Sequence, residues 1–118
     1  MIAGNVSDDG VPIIILDIAE QNWSAIVDTG FNGDLELPEA LRGNLNDQPI
    51  GRLKSTLAGG QTIEENAYIV DFLFDDQAVQ AVATFVHDSQ ILIGTNLMRD
   101  HYLQIRFASK IVRLEREM

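Results

Sequence analysis

The sequence predicts an all-β fold. Three observations carry that expectation. Short runs rich in Ile, Val, Leu and Phe recur along the chain, separated by clusters of Gly, Asp, Asn and Pro. Several runs alternate apolar and polar residues, "LQIRF" at 103–107 most cleanly. No strand followed by a long helical pattern repeats, which argues against a parallel α/β sheet. About eight or nine short strands with one or two short helices are expected.

The elements follow in chain order. "VPIIILDIAE" is a strand with Pro12 near its start, where a missing amide is tolerated. "QNW" is expected as a turn carrying Trp23, and "SAIVD" as the next strand, the two making a hairpin. Leu35 and Leu37 share one face of a short strand. "PEALRG" is expected as one helical turn with Pro38 first and Gly43 at its stop. "NLNDQPIG" is a loop. Two strands then meet near Gly59-Gly60, a pair suited to a tight, mobile turn. Ile63 to Phe74 is too long for one flat strand unless it bends. After a turn at Asp75-Asp76-Gln77, "AVQAVATFV" competes between helix and strand, and its Val, Thr and Phe favour strand. "ILIG" is a short apolar strand ended by glycine. "TNLMRDHYL" is expected as a short helix capped by Thr95 or Asn96. A strand at "LQIRF" and a last strand with a charged tail, "SKIVRLEREM", complete the chain.

Composition narrows the function. With 118 residues the chain is expected to form a single domain, 1–118. At 46% apolar residues it is not a disordered segment. A net charge of −10 repels nucleic acid and anionic membrane, so neither is expected as a partner. The absence of cysteine excludes disulfides, thiol catalysis and thiolate metal sites. His87 beside Asp88, and His101 beside Tyr102, lack the spacing of a zinc site, and the Asp8-Asp9-Gly10 and Asp75-Asp76 pairs lack that of a calcium loop. No metal and no cofactor is expected. The start lacks a signal-peptide pattern, and no stretch reaches the roughly 20 apolar residues of a membrane span. The expected setting is the cytoplasm.

One carboxylate stands out. Asp28 leaves the apolar Ala25-Ile26-Val27 run and enters a turn at Thr29-Gly30. Such an acid either accepts bonds from turn amides or is a catalytic acid in a rigid loop. "AIVDTG", the glycine-tipped "TLAGGQ" and "ILIGTNLM", in that order, resemble the retroviral-type (retropepsin-like) aspartic proteases, in a small single-domain form such as occurs in bacteria. The likeness runs from about Val11 to Phe107. It implies a single-lobe closed barrel with a flap hairpin and one short helix. It implies Asp28 as catalytic acid, with Thr29, Gly30, Ile93 and Gly94 supporting its loop. Leu57, Ala58, Gly59, Gly60, Gln61 and Thr62 would form the flap. Phe31 and Ile91 are candidate walls of a substrate cleft. Where the viral pattern pairs an arginine with an acid, this chain has Thr95 and Asn32, so both ends of that ion pair are absent together. An ion pair lost as a unit leaves no uncompensated charge behind.

Peptide hydrolysis without a metal needs a base to activate water and an acid to protonate the substrate. Two carboxyls sharing one proton supply both, because like charges a few Å apart do not ionise together cheaply. The chain holds one Asp-Thr-Gly. A twofold axis between two copies would bring the second. The expectation is a homodimeric aspartic endopeptidase acting on an extended peptide or protein. The alternative is an inactive relative that binds peptide or dimerises. A small β-barrel without a cleft function explains the constellation poorly.

Overall fold

The computed structural model describes residues 1–118 except Asn44, Leu57, Asp88 and Met118, and the side chain of Ser55 is likewise outside the description. Ten strands run β1 (Ile2–Val6), β2 (Pro12–Ile18), β3 (Gln21–Val27), β4 (Leu35–Pro38), β5 (Gln48–Thr56), β6 (Thr62–Phe74), β7 (Gln77–Val86), β8 (Ile91–Ile93), β9 (His101–Arg106) and β10 (Ile111–Arg116). They form one sheet in the order β5-β6-β7-β4-β8-β3-β2-β1-β10-β9. Its two end strands, β5 and β9, do not pair with each other, so the expected closed barrel is corrected to a strongly folded open sheet.

Most neighbours are antiparallel hairpins, as short turns dictate. At the centre, β3 lies parallel to β8 and β4 parallel to β7, while β4 and β8 run antiparallel. Here the chain returns to the middle of its own sheet instead of its edge. Strand alternation builds the core. Ile14, Leu16 and Ile18 of β2 point inward, as do Leu35 and Leu37 of β4, Ile91 and Ile93 of β8, and Val112 and Leu114 of β10.

The length of β6 has a simple cause. Its first half pairs with β5 and its second half with β7, so it is a shared spine between two hairpins and not one flat strand. A bulge between Pro49 and Gly51 bends its partner. The first hairpin turns at Ala19-Glu20, not at "QNW". Both residues have positive φ, the demand of a two-residue turn matched to strand twist. Trp23 therefore lies within β3, half-buried against the core. Asp75-Asp76 turns β6 into β7 in the same way.

Three local expectations are corrected. No α-helix forms at 95–103: residues 95–100 make successive turns and β9 starts at His101. The amides that would open such a helix are already spent on the Asp28 loop, as shown below. "PEALRG" is one 3-10 turn, Glu39–Leu41, with Pro38 ending β4 ahead of it. Ile2–Val6, given no element by the sequence, is a strand between β2 and β10.

Candidate active site

Asp28 follows the last residue of β3. The parallel partner β8 ends level with β3, Ile93 opposite Val27, and the Asp28 amide donates to the Ile93 carbonyl at 3.0 Å. This bond extends the ladder to the carboxylate itself and fixes where its Cα sits. The chain then turns. The Phe31 amide donates to the Asp28 carbonyl at 3.2 Å, and the Gly30 amide donates to Asp28 Oδ1 at 2.9 Å. One carboxylate oxygen is thus engaged by the loop, and Asp28 stays half-buried at a cavity wall. A Cβ on Gly30 would lie 3.2 Å from Oδ1, so a side chain there would press on the carboxylate. Thr29 is exposed.

A second set of bonds ties this loop to the turn after β8. Gly94 donates to the Asp34 carbonyl at 3.0 Å, Thr95 to Phe31 at 2.8 Å and Asn96 to Gly33 at 3.2 Å. The approach is too close for any residue but glycine at 94. A Cβ there would meet the Gly33 oxygen at 2.2 Å and the Phe31 oxygen at 2.7 Å. The Phe31 ring lies over both Gly33 and Gly94, and Phe31 also lines the cavity.

Sequence reasoning missed Asp34 and the role of Asn96. Asp34 is buried, 7% exposed. Its Oδ2 accepts the Val82 amide at 2.8 Å and its Oδ1 accepts the Asn96 side-chain amide at 2.7 Å. A tie between loop and turn therefore exists, built as carboxylate and amide instead of the ion pair whose usual positions hold Asn32 and Thr95. The available signal was an acid directly ahead of an apolar strand, "DLELP", the mirror of the pattern that singled out Asp28.

The cavity is a groove of about 820 Å³. Its floor carries Asp28, Phe31, Glu36, Val82, Thr84 and Leu92. Leu53, Ile63 and Glu65 of the β5–β6 hairpin form the opposite wall, on one face of that hairpin by their cross-strand register. Ala58, Gly59, Gly60, Gln61 and Thr62 make the exposed hairpin tip, and Ala58 reaches the groove; Leu57 lies outside the described residues. Gly59 and Gly60 have φ of 99° and 86°, which the tip requires. Ile91 does not line the groove. It is fully buried, and strand alternation presents Leu92 there instead. A second hollow of about 490 Å³ on β6 and β7 shares no residue with the groove.

The histidines lie elsewhere. His87 is exposed, and Asp88 is outside the described residues. The His101 side chain is buried with Nε2 at 3.2 Å from Asp75 Oδ2, against the edge of Phe74. Among the described residues no three His, Asp or Glu side chains are grouped to hold a metal ion, and no helix is long and apolar enough to cross a membrane.

No family model and no curated protein matches the sequence. Solved structures do match. A retropepsin-like aspartic protease from Rickettsia conorii superposes with a TM-score of 0.62 at 14% identity, covering 97% of this chain and 89% of that one. EIAV protease, solved with an inhibitor, gives 0.60 at 16% identity, covering 80% and 90%. The foamy viral protease–reverse transcriptase gives 0.61 at 18% identity over 80% of this chain. This chain spans only 13% of that larger protein.

The fold is that of the retropepsin-like aspartic proteases. Within it, Asp28 occupies the end of an inner strand of the sheet, and the β5–β6 hairpin projects past it. The retropepsin fold here is all-β, with a single 3-10 turn as the helical element among the described residues.

Proposed function

We propose that this chain is an aspartic endopeptidase that works as a homodimer, with residues 1–118 forming one catalytic domain. The observation that carries the reading is Asp28: a half-buried carboxylate, pinned by the Gly30 amide, facing an 820 Å³ groove beneath a glycine-tipped hairpin. Asp34, the nearest acid in the loop, has both oxygens engaged and is not available to substrate. The second acid of the reaction comes from Asp28 of the partner subunit.

In the proposed reaction the ionised Asp28 of one subunit takes a proton from a bound water. The water oxygen bonds to the carbonyl carbon of the scissile peptide. The protonated Asp28 of the partner subunit gives its proton to the carbonyl oxygen, and a gem-diol forms. One hydroxyl proton returns to a carboxylate as the C=O re-forms. The other carboxyl protonates the departing nitrogen, and the C–N bond breaks to a carboxylic acid and an amine. The hairpin tip, Ala58 to Thr62 among the described residues, acts as the flap that excludes water and offers backbone groups to an extended peptide. Ile93 and Gly94 hold the loop from beneath, and Thr29 faces the partner loop.

The test is cleavage of a diverse peptide library between about pH 3.5 and 7, the range of carboxyl-pair chemistry. D28N and a statine-type inhibitor serve as controls. Cleavage by the wild type, abolished by D28N and by the inhibitor, supports the proposal. Cleavage that survives D28N removes Asp28 from the reaction. A dimer that brings the two loops together yet cleaves nothing leaves a peptide-binding module as the function.

A further inference from the structure

We propose that Asp34 and Asn96 are the positioning pair of the catalytic loop, an anion–amide clip that holds Asp28 in register with no Lys or Arg ion-paired to Asp34 among the described residues. Its kinetic consequence rests on the protease reading above; its structural consequence does not.

The loop from Asp28 to Asp34 is held at both ends. At the first end the Asp28 amide is bound to Ile93. At the second, Asp34 accepts three bonds from two segments, β7 and the turn after β8. Its Oδ2 accepts the Val82 amide of β7, its Oδ1 accepts the Asn96 side chain, and its carbonyl accepts the Gly94 amide. The first of these bonds has a topological meaning. The parallel β4–β7 ladder begins at Leu35 opposite Ala83. Asp34 and Val82 stand one residue before it. The carboxylate therefore takes the place of a ladder carbonyl where the main chain is already turning toward Asp28. Among the described residues no Lys or Arg is ion-paired with Asp34. A buried anion without a counterion needs hydrogen-bond donors, and these two meet that need.

Asn96 is exposed, so replacing it opens no core cavity. That makes it the clean perturbation. N96A removes one donor from Asp34. N96D sets a second carboxylate where the amide stood, and a shared proton restores the bond only in acid. The double change D34N/N96D reverses the polarity and keeps both bonds. The Asn side-chain oxygen at 34 accepts from Val82, and its NH₂ donates to the Asp at 96. The other titratable groups of the groove are Asp28, Glu36, Lys54 and Glu65, and beside the clip the Arg99 guanidinium donates to the Asn96 carbonyl at 2.8 Å. All variants keep them, so ratios to wild type cancel their effect.

The experiment measures kcat and KM for a peptide cleaved by the wild type, from pH 4.5 to 7.5, below the melting temperature of each variant. Loop displacements of about 1 Å cost on the order of 100-fold in rate. N96A is expected to lose at least tenfold in kcat with KM nearly unchanged. N96D is expected to lose more at pH 7 and to regain activity relative to wild type toward acid. D34N/N96D is expected to return to within a few-fold of wild type. In parallel, amide hydrogen exchange is followed at Gly30 and Phe31, whose N–H groups bond Asp28. Faster exchange in N96A, reversed in the double variant, supports the clip. Wild-type exchange in N96A together with wild-type kcat, or a loss residing wholly in KM, overturns it. So does failure of the double variant to rescue both readouts. If the wild type cleaves nothing, the protease reading fails, and the exchange measurement alone decides the clip.

Discussion

Replacing Gly94 by alanine tests whether the Asp28 loop and the turn after β8 are one rigid unit. The added Cβ would lie 2.2 Å from the Gly33 oxygen, 2.7 Å from the Phe31 oxygen and 2.8 Å from Phe31 Cδ2. Ordinary C···O contacts begin at about 3.3 Å, so the two segments must part by about 1 Å. The nearest two atoms are backbone, and no rotamer change relieves them. The separation strains three hydrogen bonds at once: Gly94 to Asp34, Thr95 to Phe31 and Asn96 to Gly33. Losing two or three at about 1 kcal/mol each, with an overpacking cost of about 1–3 kcal/mol, gives about 3–6 kcal/mol. That is a large part of the 5–15 kcal/mol typical of a domain. The assay is urea unfolding followed by Trp23, the single tryptophan, half-buried on β3 against the core. Gly60 is the control: its φ of 86° makes alanine strained, but nothing lies within 4 Å, so its cost stays at about 1–2 kcal/mol. A G94A loss below about 1 kcal/mol, or no greater than that of G60A, refutes the idea that close backbone approach fixes this loop.

Other outcomes follow from the same structure. If the second acid comes from another copy, activity per chain falls on dilution through the dissociation constant, and added D28N chains poison the wild type by mixed pairing. Constant specific activity across that range contradicts it. Glu65 and Glu36 share the groove with Asp28 against one Lys54, so peptides carrying Lys or Arg should be cut several-fold faster than neutral analogues. E65K should erase that preference while leaving cleavage of neutral peptides. Asp75 provides a stability test. The amino terminus at 2.6 Å, and then His101, hold its carboxyl below the usual carboxylate range. A depressed carboxylate adds stability above its unfolded value, and that stability is lost as pH falls through its folded value. D75N should therefore be less stable than wild type at neutral pH. The gap should close in acid below the ordinary carboxylate range. A gap independent of pH would place the effect in turn geometry instead.

The legible parts of this sequence were those where one residue pattern had one outcome. Asp28 was visible because an apolar strand, an acid and a tight turn coincide within six residues. The long spine of β6 and the glycine tip before it were visible for similar reasons. Hidden parts depend on contacts distant in sequence. β1 carries Gly4 and Asn5, poor strand formers, yet it is a strand because Gly4 lets it lie close to β2. A Cβ there would sit 2.0 Å from the Ile13 carbonyl. The "TNLM" segment has a good cap and apolar spacing, but its first amides bind the Asp28 loop, and local propensity yields to those bonds. Asp34 reads as one more turn acid until the fold places Val82 and Asn96 beside it. Barrel closure was overdrawn because the ends of a sheet leave no mark in strand periodicity.

The groove has two walls of opposite character, a division that suits the proposed chemistry on a peptide. Beneath Asp28, Ile91 and Ile93 are wholly buried, Gly94 admits no side chain, and β3, β8 and β4 each have two partners. Above it, β5 is an edge strand whose described side chains are all exposed, Ile50 and Leu53 among them. Few buried contacts hold such a hairpin, so its opening costs little compared with global unfolding. On the proposed protease reading, a long polymer enters an 820 Å³ groove only if one wall yields, and an acid pair shares a proton only if the other does not. Stiffening the roof alone, by a disulfide across the hairpin from Thr56 to Thr62, which removes no charge from the groove, should therefore slow turnover without altering the pH profile. A changed pH profile would mean that hairpin and floor are mechanically one body, and would overturn the division.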